Sequence, residues 1–171
     1  MRRIGILGGT FNPPHLGHLN IALASYEKLN LDEVWFIPAG NPPHKNVSRD
    51  ISIIDRFNMV NLMIKDYPYF KCKDFEFQKM SKCYSYETLQ KIKLLYPDDE
   101  LFFLIGADSL KTFNTWVRPD IISSLCTIAV CNREKADRNS LEAICKTMEQ
   151  KYTGKFIYVP MDEVQISSTS I

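Results

Sequence analysis

Apolar runs of strand length recur along the chain at residues 2–7 (RRIGIL), 33–38 (EVWFIP), 70–77 (FKCKDFEF), 101–106 (LFFLIG), 127–132 (TIAVCN) and 155–160 (KFIYVP). LFFLI and TIAV are almost continuously apolar, which suits strands covered on both faces. FKCKDFEF alternates, which suits an edge strand or a half-exposed face. Between these runs the apolar spacing lengthens to a helical period. Residues 17–29 carry Leu19, Ala22, Leu23 and Tyr26, and residues 51–65 carry Ile54, Phe57, Met59, Val60, Leu62, Met63 and Ile64. Residues 86–96 carry Leu89, Ile92, Leu95 and Tyr96 ahead of Pro97, and residues 138–151 carry Leu141, Ile144, Cys145 and Met148. Strand and helix alternate, so the pattern predicts an α/β fold: a Rossmann-like, doubly wound parallel sheet with helices on both faces. No repeat or linker divides the 171 residues, which suit a single domain, 1–171.

Ligands of such sheets sit beyond the carboxyl ends of the strands. The segments placed there are unusual: GGTFNPPHLGH after the first run, AGNPPHK after the second, GADSLKTFNTW after the fourth, and ISSTSI soon after the last. In the first, Gly8 and Gly9 can take backbone angles closed to other residues and let a ligand approach the main chain. Thr10 and Phe11 would present backbone N–H groups to an anion. His15 and His18 share a face if helical, where a helix N-terminus also favours negative charge. Neither the GK[ST] nor the GxGxxG phosphate loop is present; a phosphate held here would be met by imidazole hydrogen bonds, and the alternative is a structural turn with incidental histidines. Zinc binding by HxxH would need a third ligand, and none is evident nearby.

Charge and cysteine content narrow the classes. The chain has 21 basic and 20 acidic residues, interspersed, which argues against a nucleic-acid backbone as partner. Five cysteines, an odd number without CxxC, predict reduced and partly buried thiols in a cytoplasmic protein. The N-terminal apolar run is too short for a signal peptide, and no run approaches a membrane span.

GGTFNPPHLGH resembles the [ST/G]xGxFxPxHxGH signature of the nucleotidylyltransferase superfamily. Together with IPAGNPPHK, GADSL followed by a tryptophan, and the late ISSTSI, the chain looks like the bacterial nicotinate mononucleotide adenylyltransferases along essentially its whole length. The resemblance implies transfer of AMP from ATP to the 5′-phosphate of nicotinate mononucleotide, giving deamido-NAD and pyrophosphate in NAD biosynthesis. It implies catalytic roles for His18, at the α-phosphate, and His15 beside it. Gly8, Gly9, Thr10 and Phe11 would line the nucleotide, and Gly106 and Asp108 would meet adenosine or its ribose. Ser167, Ser168 and Thr169 would hold the distal phosphates. Lys45 would reach a phosphate, Tyr84 and Ser85 would meet the nicotinate carboxylate through N–H groups, and Trp116 would stack on the pyridine ring. Mg²⁺ is implied as an ion carried with ATP. The family pattern continues past ISSTSI to an arginine and a final helix, so the chain is expected to lack its C-terminal helix.

Structural alternatives stand beside several of these roles. Asp108 suits the N-cap of a helix over 109–113, Ser85 suits an N-cap, Trp116 suits a core position, and Lys45 suits a solvated loop. Rival activities are pantetheine-phosphate adenylyltransferase and cytidylyltransferase, both of which usually carry Asp at position 12. A nucleotide-binding regulator without turnover is the alternative of another class.

Overall fold

The computed structural model of the protein describes residues 1–40, 52–77, 83–133 and 137–161. Six parallel strands form one sheet: β1 (Arg3–Gly9), β2 (Glu33–Pro38), β3 (Phe70–Cys72), β4 (Glu100–Gly106), β5 (Thr127–Asn132) and β6 (Phe156–Pro160). Their order is β3-β2-β1-β4-β5-β6. The helices are α1 (Leu16–Lys28), α2 (Ile53–Ile64), α3 (Ser85–Leu95), α4 (Ala107–Lys111), α5 (Pro119–Leu125) and α6 (Arg138–Lys151), with a 3₁₀ turn at Phe113–Thr115.

Alternate residues of each strand serve opposite faces. Ile4, Ile6, Trp35, Ile37, Leu101, Phe103, Ile105, Ile128 and Val130 pack with residues of α3 to α6. Leu7, Val34, Phe36, Phe102, Leu104, Ala129 and Cys131 pack with α1 and α2. The expected doubly wound sheet is therefore present, with buried strands that read as continuous apolar runs because both faces are covered.

Three local expectations differ. The alternating run 70–77 contributes only a three-residue edge strand, after which Asp74–Phe77 turns away through a backbone hydrogen bond from Phe77 N to Asp74 O. A short edge strand limits the unpaired backbone offered to other chains. In α2 the buried stripe is Arg56, Val60 and Ile64, while Ile54 and Leu62 are exposed. An arginine thus occupies a core position that periodicity assigned to aliphatic residues. In α3, Leu95 is exposed, and Leu89 and Ile92 carry the packing.

The cysteines match expectation: Cys83, Cys126, Cys131 and Cys145 are buried, Cys72 is half-buried, and none forms a disulfide. Burial pushes the Cys126 thiol up to about 12 and the Cys131 thiol up to about 11, so both stay protonated and unreactive near neutrality.

Arg2 ties the start of β1 to the turn before β4. Its Nη2 donates to Asp99 Oδ2 at 2.7 Å and its backbone N–H donates to Oδ1 at 3.1 Å. These hydrogen bonds hold the Asp99 carboxyl below its ordinary value. A lowered folded-state value contributes stability above the unfolded carboxylate range and loses it as pH falls through the folded value. Asp99→Asn is accordingly expected to lower Tm at pH 7, and the gap from the parent should close below about pH 4. Thermal melts across pH 3–7 would check this, and a gap that is constant with pH would refute it.

Candidate active site

The sheet opens where its winding reverses. β1 pairs with β4 only from Arg3↔Glu100 to Ile6↔Phe103. Beyond that point Leu7, Gly8 and Gly9 follow β2, whereas Leu104, Ile105 and Gly106 follow β5. The two central strands part at their carboxyl ends, which creates the crevice expected at a topological switch point. A cleft of about 660 Å³ occupies it, lined by residues 7–10 of β1 and its turn and residues 103–106 of β4. That volume is within the usual range for small-molecule sites, about 300–1,000 Å³. The other walls include His18, Glu76, Tyr84, Ser85 and Trp116.

His18 borders the cleft, and His15 packs against it. His15 is the N-cap of α1, and His18 is its third helical residue. Gly17 N donates to His15 Nδ1 at 3.1 Å, and His15 N donates to His18 Nδ1 at 3.0 Å. This is a reciprocal capping box made of two imidazoles. A nitrogen that accepts a backbone N–H carries no hydrogen, so each neutral ring bears its hydrogen on Nε2. The rings stack with centroids 3.8 Å apart. A Cβ on Gly17 would lie 2.9 Å from the His15 ring, which explains glycine there.

The turn does not use the backbone freedom that its glycines allow. Neither Gly8 nor Gly9 has a positive φ; both lie in β1, and Phe11, at φ 51°, takes the left-handed conformation. That conformation is costly for a bulky residue, about 1–3 kcal/mol, and persists only where packing enforces it. Here the Phe11 ring is 1% exposed and meets the His18 ring edge-on at 4.8 Å. The aromatic anchor thus sets both the turn and the position of His18. The Asn12–Pro13 peptide bond is cis.

Across the cleft, Gly106 caps α4, and a Cβ there would meet nothing within 4 Å, so this backbone faces open space. Asp108 is not the N-cap of that helix. It lies in the first turn, exposed, while Ser109 and Thr112 reach the cleft wall. The strand end itself supplies the extended N-cap residue, which moves the helix start ahead of Asp108. Ser85 is likewise not an N-cap. Tyr84 occupies that position without a side-chain bond, and Ser85 begins α3. Trp116 is half-buried on the cleft wall, its ring 5.9 Å from Phe103 and 5.2 Å from Phe113. It serves the core and the cleft together. Pro119 starts α5 after Arg118, whose φ is 53°. His15 sits outside the cleft lining, on the exposed side of His18. Lys45, Ser167, Ser168 and Thr169 lie outside the described residues.

The cytidylyltransferase-like family model matches residues 6–171. The chain belongs to that family. It is 43% identical over 171 residues to a Clostridium botulinum (strain Eklund 17B / Type B) protein named probable nicotinate-nucleotide adenylyltransferase, a match covering 100% of this chain and 84% of that one. A Geotalea daltonii protein of the same name is 42% identical over 156 residues, covering 91% of this chain and 71% of that one. Among solved structures, Plasmodium falciparum nicotinic acid mononucleotide adenylyltransferase complexed with NaAD matches with a TM-score of 0.75. That match covers 99% of this chain and 82% of that chain at 20% identity, a likeness of fold.

In this cytidylyltransferase-like chain, three polar residues of the site escaped the motifs. Arg56 is 2% exposed, and its Nη1 donates to Thr10 O at 2.8 Å and Ala39 O at 2.7 Å. Burial lowers its guanidinium from the ordinary value, and Glu76 opposes that shift. Glu76 accepts from Gly40 N and from Thr88 Oγ1, each at 3.0 Å. The one available signal was Arg56 at i, i+4, i+8 with Val60 and Ile64, a charge on an apolar stripe. Among the described residues no group of three or more His, Cys, Asp or Glu side chains could hold a metal ion, and no helix is long and apolar enough to cross a membrane.

Proposed function

We propose that the chain transfers AMP from ATP to the 5′-phosphate of nicotinate mononucleotide, yielding deamido-NAD and pyrophosphate in NAD biosynthesis. The observation that carries this reading is the split between β1 and β4, whose cleft is bordered by His18, Trp116 and the start of α3. The 43% identity to a protein named for this activity supports it.

The substrate phosphate is itself the nucleophile. One of its oxygens bonds to the α-phosphorus, the bond from that phosphorus to the bridging oxygen breaks, and pyrophosphate leaves with the electron pair. No protein nucleophile is required, so positioning and charge stabilisation carry the rate. His18 donates from Nε2 to an α-phosphate oxygen, and His15 holds α1 and the His18 ring in register. The main chain of Gly8, Gly9, Thr10 and Phe11 lines the nucleotide. Gly106 lets adenosine approach the end of β4, and Asp108 accepts from a ribose hydroxyl at the cleft rim. Trp116 stacks on the pyridine ring, and the N–H groups after Tyr84 and Ser85 meet the nicotinate carboxylate at a helix N-terminus. Lys45 reaches a phosphate, and Ser167, Ser168 and Thr169 hold the distal phosphates. Mg²⁺ enters on the phosphates of its nucleotide, as MgATP, since this ion commonly keeps its waters and binds through substrate oxygens.

Pyrophosphate release decides the reading. The assay uses MgATP with nicotinate mononucleotide, nicotinamide mononucleotide or phosphopantetheine, and MgCTP in a parallel arm. Release with MgATP and the nicotinate acid is expected. Release only with phosphopantetheine, or only with MgCTP, would assign another branch of the family. Nucleotide binding with no release from any pair would favour a binding protein.

A further inference from the structure

Two opposite charges grip the two edges of one peptide unit. The carbonyl of Ala39 accepts from Arg56 Nη1 at 2.7 Å, and the N–H of the same peptide, on Gly40, donates to Glu76 Oε1 at 3.0 Å. Each charge also reaches one half of the cleft. Arg56 Nη1 donates to Thr10 O in the turn after β1, and Glu76 Oε2 accepts from Thr88 Oγ1 in α3. A continuous run of hydrogen bonds therefore joins Thr10 to Thr88 through three intermediate segments: α2, the residues after β2 and the turn after β3.

Several features make this run specific. A Cβ on Gly40 would fall 2.3 Å from Glu76 O, so only glycine permits the peptide to lie this close. Arg56 is buried, and its Nε has no hydrogen-bond partner, so its described hydrogen bonds all pass through Nη1 to the two loop carbonyls. A desolvated guanidinium with an unsatisfied N–H is expensive, and hydrophobic residues fill such a position at lower cost. Its presence under the turn is explained if it sets the geometry of both loops.

We propose that Arg56, Glu76 and Thr88 are positioning residues that couple the nucleotide half of the cleft, at Thr10, to the mononucleotide half, at the start of α3. This rests on the assignment of those halves under Proposed function. Ordering of one half by its substrate is transmitted to the other through peptide 39–40, so the two substrates bind cooperatively.

The test is calorimetric titration of nicotinate mononucleotide into the protein, with and without a saturating non-hydrolysable ATP analogue. The parent protein should bind the mononucleotide more tightly when the analogue is present. In Thr88→Val, which keeps shape but removes the hydroxyl, that enhancement should shrink by about three- to tenfold, the worth of one hydrogen bond. Affinity for the analogue alone should stay within about twofold, because Thr10 and Arg56 are untouched. Arg56→Lys, which keeps the charge but not the planar fork, is the second variant and should reduce the same enhancement. A purely structural role would lower Tm and leave the enhancement unchanged, and that result would overturn the proposal, as would the absence of any enhancement in the parent. Parent turnover of nicotinate mononucleotide, measured alongside, separates the cases. Turnover with unaltered enhancement in the variants sinks the coupling alone, and no turnover sinks the underlying reading together with it.

Discussion

His18→Ala is expected to lower kcat by about 10²–10³, the usual cost of removing one donor aimed at charge developing in a transition state. The side chain has two jobs that alanine removes together. Its Nδ1 accepts the His15 N–H and closes the start of α1, while its Nε2–H is the donor assigned to the α-phosphate. Loss of a cap costs about 0.5–2 kcal/mol of stability. The two jobs separate in His18→Glu. A carboxylate at the third helical position is the ordinary capping-box partner and restores the acceptor for His15 N–H. It places a negative charge where the phosphate should sit, so activity should fall at least as far as in the alanine variant while Tm recovers. Steady-state kinetics and melts on both variants provide the check. If His18→Glu recovered activity along with Tm, His18 would be a cap and nothing more.

Trp116→Ala should raise KM for nicotinate mononucleotide by about 5- to 150-fold, corresponding to the 1–3 kcal/mol of a base–aromatic stack. KM for ATP should change little. The prediction discriminates because Trp116 is also a core residue, packed against Phe103 and Phe113. Truncation leaves a void there, and some loss of Tm is expected with or without a binding role. The split between the two KM values is therefore the informative reading. Trp116→Phe, which keeps a flat ring, should regain part of the mononucleotide affinity. A rise confined to KM for ATP would put the adenine, not the pyridine, against this ring.

The fold was legible because each strand is a local pattern with a short period. EVWFIP and TIAVCN begin and end as strands where the sequence alone places them, and α6 spans the same residues that its apolar spacing predicts. The histidine turn was legible for a different reason: its chemistry is concentrated in eleven consecutive residues, so no tertiary information is needed to see imidazoles beside a strand end.

Cap positions were less legible. Gly106 and Tyr84 take the cap positions for which Asp108 and Ser85 are the better side chains, because the preceding strand or loop fixes where the extended backbone stops. Propensity ranks side chains at a boundary, but it does not locate the boundary. The glycines of the opening turn show the same limit. Their composition suggests left-handed backbone, whereas the buried ring of Phe11 forces that conformation one residue beyond Thr10.

By itself, the sequence determined the class of fold, the alternation of its six strands with the longer helices and the chemical character of the turn that faces the ligand, but not α5. Only the tertiary structure decided that β1 and β4 part company after Ile6 and Phe103, and that Arg56 and Glu76 grip one peptide between them. Periodicity records which face of an element is buried, so it reports on neighbours a few residues away. The clamp joins partners separated by 17, 36 and 46 positions, and such pairings arise only when a doubly wound sheet brings the ends of its strands together.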